Sequence, residues 1–204
     1  MVDRSTVLRF EDIKFDCQLY NGYKPCVFGN DCPGCPHYRP WDAEVPGWAP
    51  ILDGGAIDRL GEDPRVLIIK TGALGDVLRT TTLLHPLRRR FPAARVTWIT
   101  AGGAVPLLAA NRMIDELVVF NDDSAPALMG REFDLSICLE KEGYPLVFAG
   151  AVQAAYRVGY VPTPWSSAAV ANAEARYMLV LGVDDALKFH GNRKSYPEII
   201  CEAV

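Results

Sequence analysis

The sequence predicts an α/β domain, with a parallel sheet covered by helices on both faces, and a small cysteine-rich segment at its N-terminus. Three observations lead to this fold class. From Arg65 onward, short apolar segments alternate with segments of helical spacing, as in parallel sheets built from β-α-β units. The first strand runs into a glycine turn, a feature of the ligand-binding edge of open α/β sheets. The 204 residues, 50% of them hydrophobic, suffice for one core with an appendage.

Composition divides the chain into three parts. Residues 1–40 are rich in cysteine and aromatic residues, and we expect them to form a small knob that cannot fold alone. Residues 41–64 carry several prolines and glycines and are typical of an irregular linker. Residues 65–204 hold the alternating pattern and are predicted to form the main domain.

The first half of the main domain shows the alternation most clearly. A short apolar, β-branched run predicts a strand over 65–70 that is buried on both faces. Leucines at roughly helical spacing predict a helix over 76–90, which Pro92 closes. A second β-branched run predicts a strand over 95–100, and glycines end it.

The second half alternates over shorter segments. The apolar segment 133–139 predicts a strand, the alanine-rich segment 144–156 a helix, and 157–160 a short strand. Pro162 and Pro164 then interrupt the pattern. The other predicted elements are a helix over 104–111, a strand over 116–120, helices over 124–131 and 168–181, and an amphipathic helical end after Lys194.

Charge and hydropathy exclude several classes of function. A formal net charge of −4 argues against a nucleic-acid binder that works through a basic field. The densest positive cluster, Arg88 to Arg90, ends a predicted helix, where the helix dipole favours cations, and contact with an anionic surface or acceptor is the alternative role. No apolar run of about 20 residues is present, so no membrane-spanning helix is expected. The polar first residues lack a secretory signal, and we expect a cytoplasmic protein.

The glycine turn after the first strand excludes two common nucleotide sites. Its glycines are spaced Gly72-x-x-Gly75, which is not the G-x-G-x-x-G fingerprint, so bound NAD is not expected. No Gly-Lys-Ser/Thr follows, which excludes a P-loop. Asp76 remains as the distinctive side chain. It is either the N-cap of the following helix or a base aimed into the cleft, and both roles are compatible.

At this point the chain resembles a known family. Val-Leu-Ile-Ile-Lys-Thr-Gly-Ala-Leu-Gly-Asp, which starts at Val66, and the segment 87–98 are similar to the beginning of glycosyltransferase family 9, the ADP-heptose:lipopolysaccharide heptosyltransferases. Segments 133–139 and 155–160 are similar to later parts of that family. The resemblance covers residues 65 to about 200.

The resemblance implies a fold and roles for particular residues. Family members have a GT-B fold of two Rossmann-like domains, of which the N-terminal one receives the acceptor sugar and the other holds the nucleotide-sugar donor. Asp76 would be the general base of an inverting transfer. Lys70, Thr71, Gly72 and Gly75 would shape the acceptor side of the cleft. Many members carry arginine where this chain has Lys70, and an ammonium cannot make arginine's bidentate contact.

The chain departs from the family in its length. It ends where the second domain of a family member would begin, so we expect a longer protein or a partner chain to supply the donor site. The acceptor would be a glycan or a glycolipid, with peripheral contact at the inner membrane face. The rival hypotheses are a non-catalytic carbohydrate- or nucleotide-binding module, and an interaction protein that recruits a partner through its cysteines.

Glu140, Lys141 and Glu142 follow the fourth predicted strand, at the same edge of the sheet as Asp76. They belong either to an exposed charged loop or to a site that recognises acceptor hydroxyls.

The cysteine cluster points to metal chemistry. Cys17, Cys26, Cys32 and Cys35 lie within a short span, and the Cys-x2-Cys pair lets two thiolates converge on one ion. We predict a structural zinc site, with an iron–sulfur cluster as the alternative and disulfides or unliganded thiols as further options. His37 could replace one thiolate, or it is an exposed loop histidine.

Overall fold

The computed structural model describes residues 7–29 and 31–204, so the polar first six residues lie outside it. One six-stranded sheet forms the centre of the molecule. Its strands are β1 Arg65–Ile69, β2 Arg95–Thr100, β3 Glu116–Val119, β4 Glu132–Cys138, β5 Gln153–Pro162 and β6 Ala168–Val170.

Seven α-helices connect and flank the strands in the described part of the chain. They are α1 Leu74–Thr80, α2 Leu84–Arg90, α3 Val105–Leu108, α4 Ser124–Met129, α5 Gly143–Ala151, α6 Arg176–Val183 and α7 Tyr196–Glu202. None of these helices is long and apolar enough to cross a membrane.

The strand order is β3-β2-β1-β4-β5-β6, and the first five strands are parallel. From β1 the chain moves outward to β3, returns to the other side of β1 as β4, and continues outward to β5. Right-handed crossovers in two opposite directions put helices on both faces of the sheet. This is the α/β, Rossmann-like architecture that the sequence predicts, and the prediction is confirmed.

The core lies on both faces of the central strands. Residues 66–69 of β1 are fully buried, as expected of a strand at the centre of a parallel sheet. Trp98 on β2 and Phe148 on α5 are the largest fully buried side chains. Leu8, Ile13 and Phe15 are buried in the same hydrophobic cluster, so the start of the described chain packs against the main domain.

The predicted helix over 168–181 is wrong in its first half. Residues 168–170 form β6, which runs antiparallel to β5, and α6 begins only at Arg176. The chain reverses in a tight turn in which the Thr163 amide donates to the Ser167 carbonyl at 2.7 Å. Pairing with β5 therefore outweighs the helix propensity of the alanines, which is a weak preference.

The predicted boundary between the helix over 144–156 and the strand over 157–160 is also wrong. α5 ends at Ala151, and β5 runs from Gln153 to Pro162. The early part of β5 pairs in parallel register with β4, for example Ala154 with Phe133. Alanines in this segment are strand residues because a neighbouring strand supplies their hydrogen bonds, which a sequence pattern does not reveal.

Candidate active site at the carboxyl edge of the sheet

Two loops meet where the strand order reverses. β1 and β4 are neighbours, and their last residues, Ile69 and Cys138, are paired. The loop after β1 and the loop after β4 therefore leave the sheet side by side. In open α/β sheets the crevice between two such loops is the usual ligand site.

Glu140 ties the two loops together. Its Oε1 accepts hydrogen bonds from the Thr71 amide, from Thr71 Oγ1 at 2.9 Å and from the Gly72 amide at 3.0 Å. Lys70 Nζ donates to the same oxygen at 3.3 Å. One carboxylate oxygen thus fixes the start of the loop after β1.

Lys70 points into the protein. Its side chain is 6% exposed, that of Glu140 is 12% exposed, and Lys70 Nζ also donates to the Leu139 carbonyl at 3.3 Å. The two residues form a buried ion pair whose remaining hydrogen-bonding capacity is largely used inside the fold. Lys70 therefore stabilises the edge of the crevice from inside the fold, through its contacts with Leu139 and Glu140.

Asp76 lies in the first turn of α1 and is not its N-cap, so the N-cap interpretation is wrong. The helix begins at Leu74 because the Ala73 carbonyl already accepts the amides of Asp76 and Val77, both at 2.9 Å. The Asp76 side chain is 34% exposed and pairs with Arg79 one turn later. The side chain of an N-cap residue accepts a hydrogen bond from a backbone amide of the helix. The Asp76 carboxylate instead pairs with Arg79 and stays at the rim of the crevice.

The two glycines of the turn border open space. A Cβ atom built on Gly72 or Gly75 would have no neighbour within 4 Å, and neither residue has a positive φ. Packing within the folded chain therefore does not require glycine at these positions. Their smallness leaves room for a ligand to approach the backbone beside Asp76.

Tyr196 of α7, packed against Arg79, forms a wall of the crevice that the sequence does not reveal. The guanidinium carbon of Arg79 lies over the ring of Tyr196, at 4.5 Å from its centroid, and the Tyr196 hydroxyl is 3.5 Å from Thr80 Oγ1. Burial raises the pKa of Tyr196, and the nearby charge of Asp76 adds to this shift. Tyr196 is 120 residues away from Asp76 in sequence, and no spacing or motif links them.

Lys141 follows Glu140 in the loop after β4. It is half-buried, and a Cβ built on Gly182 would lie 3.6 Å from its Nζ. Burial lowers the pKa of this ammonium, and the positive charge of Lys188 lowers it further. The amine therefore lies against α6 at the same edge of the sheet as Asp76.

The four N-terminal cysteines are free and half-buried. Within residues 7–29 and 31–204, no three His, Cys, Asp or Glu side chains are grouped so that they could hold a metal ion. Burial raises the pKa of Cys32, and Cys26, Cys35 and Cys17 raise it further, so the four thiols are electrostatic neighbours. The zinc site and its iron–sulfur alternative stay predictions. The His37 ring stacks on Phe28 at 3.9 Å between centroids.

Comparison with known proteins returns solved structures only. No family model matches the chain, and no curated protein matches it significantly. A family 9 glycosyltransferase from Veillonella parvula is 17% identical over 71% of this chain and 42% of its own, with a TM-score of 0.49. The E. coli heptosyltransferase WaaC with ADP is 16% identical over 68% of this chain and 46% of its own, with a TM-score of 0.47. E. coli ADP-heptose lipopolysaccharide heptosyltransferase II is 19% identical over 56% of this chain and 33% of its own, with a TM-score of 0.42. The chain thus spans less than half the length of each.

Proposed function

We propose that this chain carries the acceptor half of an inverting glycosyltransferase of the heptosyltransferase kind. One observation carries the proposal. The partly exposed Asp76 carboxylate lies at the point where the strand order reverses, beside the open space above Gly72 and Gly75. This arrangement gives a sugar hydroxyl access to a fixed carboxylate.

Asp76 acts as the general base. It accepts the proton of the acceptor hydroxyl while that oxygen forms a bond to the anomeric carbon of the donor sugar. The bond from the anomeric carbon to the phosphate breaks on the opposite face, and the nucleoside diphosphate leaves with the bonding electrons. The transferred sugar inverts its configuration, and Asp76 later releases the proton to solvent. Positioned proton transfer of this kind contributes about 10²–10⁴-fold to a rate.

Glu140 and Lys70 position the loop that borders the base. Because Glu140 Oε1 holds both the Thr71 and Gly72 amides, the loop has its shape before any acceptor arrives. Lys70 offsets the buried negative charge of Glu140. Glu140 Oε2, Thr71, Gly72 and Gly75 then line the acceptor side, while Arg79 holds Asp76 at the rim.

The donor site belongs to a second domain of a longer protein or to a partner chain. Its task is to bind the nucleotide sugar and to stabilise the charge that develops on the leaving phosphate. In this proposal the acceptor is a glycan or a glycolipid, and the protein works in the cytoplasm with peripheral contact at the inner membrane face.

The test is a transfer assay with a panel of nucleotide sugars, ADP-heptose among them, and glycan acceptors. It uses the full-length protein, or this chain together with the partner that supplies the donor site. The Asp76→Asn variant is compared with Asp122→Asn, which changes an exposed aspartate in the loop after β3, two strands away from β1 in the sheet. We expect Asp76→Asn to lower turnover by about 10²–10⁴-fold and Asp122→Asn to leave it unchanged.

Two results would contradict this proposal. Turnover that is equal in Asp76→Asn and wild type would show that Asp76 is not the base. Glycan binding without any transfer, in the presence of a donor site, would instead show a non-catalytic carbohydrate-binding module.

A further inference from the structure

The placement of Asp76 depends on Arg79. Among the described residues, the Arg79 guanidinium is the one side-chain group that hydrogen-bonds to the Asp76 carboxylate. Both side chains lie near the surface of α1, since that of Arg79 is 54% exposed and that of Asp76 is 34% exposed. An exposed ion pair holds its geometry weakly, because ordering a long arginine side chain costs rotamer entropy. A further contact that fixes Arg79 therefore fixes Asp76 as well.

Tyr196 provides this further contact. The guanidinium carbon of Arg79 lies at 4.5 Å from the centroid of the Tyr196 ring. A cation within about 6 Å of an aromatic centroid is attracted to the negative face of the ring. Arg79 is therefore bound twice, by the carboxylate of Asp76 and by the ring of Tyr196, and its rotamer freedom is reduced.

The Tyr196 side chain is itself firmly supported. α7 begins with a capping box, in which Ser195 Oγ accepts the Glu198 amide at 3.4 Å and the Glu198 carboxylate accepts the Ser195 amide at 2.6 Å. Ile200 in the same helix is fully buried. The Tyr196 hydroxyl contacts Thr80 Oγ1 of α1 at 3.5 Å, and Thr80 is fully buried. Both the backbone and the hydroxyl end of Tyr196 are thus held against the core.

The Tyr196 hydroxyl keeps its proton in the crevice. Burial raises the pKa of Tyr196, and the negative charges of Asp76 and Glu140 raise this pKa further. The positive charge of Arg79 lowers the same pKa and opposes them. A phenol with a raised pKa stays neutral at neutral pH. Tyr196 therefore contributes its ring and its position, and Asp76 remains the base.

We propose that Tyr196 is a positioning residue, which holds Arg79 and thereby fixes Asp76 at the rim of the crevice for sugar transfer. This inference rests on the proposed function, because the position of Asp76 affects a rate only if Asp76 is the base. Tyr196 acts through Arg79 and does not act on the reacting atoms. A base that is already in place when the acceptor arrives avoids the cost of ordering it during the reaction.

The ring of Tyr196 matters most while Asp76 is neutral. Once Asp76 has taken the proton of the acceptor hydroxyl, its ion pair with Arg79 is lost, because a protonated carboxyl carries no charge. The attraction between Arg79 and the Tyr196 ring does not depend on that carboxylate. Arg79 therefore stays beside Asp76, where its positive charge favours release of the proton to solvent and return of the carboxylate.

The experiment compares two substitutions of Tyr196 in the protein with its complete donor site. Tyr196→Phe keeps the ring and removes the hydroxyl, whereas Tyr196→Leu keeps an apolar side chain and removes the ring. Initial rates give kcat and the KM of the acceptor for each variant. We expect Tyr196→Leu to lower kcat by about tenfold and to leave the acceptor KM within about threefold of wild type. Tyr196→Phe should keep kcat close to the wild-type value.

Tyr177 offers a matched control. Lys194 Nζ lies over its ring at 4.6 Å from the centroid, but this lysine pairs with Glu202, and Tyr177 belongs to α6. Tyr177→Leu removes a ring of the same kind without changing the contact between Arg79 and Asp76, so kcat and KM should stay as in wild type. The folded fraction of every variant is measured by urea titration and used to correct kcat.

A second variant keeps the inference testable if Tyr196→Leu does not fold. Arg79→Met removes the guanidinium from an exposed position, and it should lower kcat to the same extent while the acceptor KM stays near that of wild type. In the double variant, Arg79→Met with Tyr196→Leu, the two losses should not add, because both substitutions break the same series of contacts.

Unchanged kcat in Tyr196→Leu or in Arg79→Met would overturn the inference, as would additive losses in the double variant. A loss confined to the acceptor KM would make Tyr196 part of the acceptor site instead. An equal loss in Tyr196→Phe would assign the effect to the hydroxyl and not to the ring. Each of these results counts against Tyr196 alone if Asp76→Asn still lowers turnover. If Asp76→Asn leaves turnover unchanged, the proposed function itself has failed.

Discussion

Glu140 is the side chain on which the shape of the crevice depends most. Replacing it with alanine removes the acceptor for two loop amides and leaves Lys70 buried without its ion-pair partner. Breaking one side of a buried pair costs about 3–5 kcal/mol. We therefore expect Glu140→Ala to lower the free energy of unfolding by that order in urea titrations, and Glu140→Gln to cost less because its amide oxygen can still accept.

The exposed neighbour Glu142 supplies the control for this prediction. Glu142→Ala should change stability by less than about 0.5 kcal/mol, as surface substitutions usually do. Equal effects at the two positions would show that Glu140 does not anchor the loop.

A substitution at Gly75 distinguishes an effect on stability from an effect on acceptor binding. The residue lies inside α1, has no positive φ and borders open space. Gly75→Ala should therefore stabilise the protein by about 0.5–1 kcal/mol, since alanine is the better helix former. Its methyl group would enter the open space that we propose the acceptor occupies, so acceptor binding, measured by calorimetry, should weaken. A variant that loses stability and keeps full affinity would contradict this account of the turn.

At the scale of elements, Gly159 controls how closely β5 approaches β4. Its φ is +81°, and a Cβ there would lie 2.2 Å from the Cys138 carbonyl oxygen. Gly159→Ala combines backbone strain with a clash, and we expect a loss of about 2–5 kcal/mol in thermal or urea unfolding. Gly61→Ala is the control, because a Cβ at Gly61 meets nothing within 4 Å. A tolerated Gly159→Ala would mean that the β4–β5 register differs from the one described.

The ion pair between β1 and β4 predicts a pH dependence. The Arg65 guanidinium, which hydrogen-bonds to Asp134, lowers the pKa of that carboxyl below its usual range. A carboxyl whose pKa is lower in the folded state stabilises the fold above its unfolded pKa, near 3.9. This stabilisation is lost as pH falls through the folded value. Asp134→Asn should therefore reduce stability at pH 7 and have little effect at pH 2. An equal loss at both pH values would rule out this linkage.

An element can be predicted from the sequence where the local pattern of the residues determines its structure. The buried run of β1 and the helical spacing after it identify the first β-α unit, because burial on both faces leaves a continuous apolar signature. For residues 168–170 and 153–156 the sequence predicts helices and the structure has strands, because alanine is compatible with both states and strand pairing decides between them.

At the scale of the whole molecule, topology assembles the candidate site from distant segments. Asp76 and Glu140 are identifiable from sequence because each follows a predicted strand of a parallel sheet. Their connection through the Thr71 and Gly72 amides is not identifiable, since it depends on β1 and β4 being neighbours. The Tyr196 wall is likewise beyond sequence reasoning, because no local pattern tells where α7 packs.

The most direct test of the account is a comparison of turnover and acceptor affinity in Asp76→Asn. The measurement uses the donor and acceptor identified by the transfer assay, with the complete donor site present. A base contributes to the transition state and little to ground-state binding, so we expect kcat to fall by about 10²–10⁴-fold. The acceptor Kd should stay within about threefold of wild type, because the loop held by Glu140 is intact. An unchanged kcat, or a loss that appears entirely in acceptor affinity, would contradict the role of Asp76 as the base.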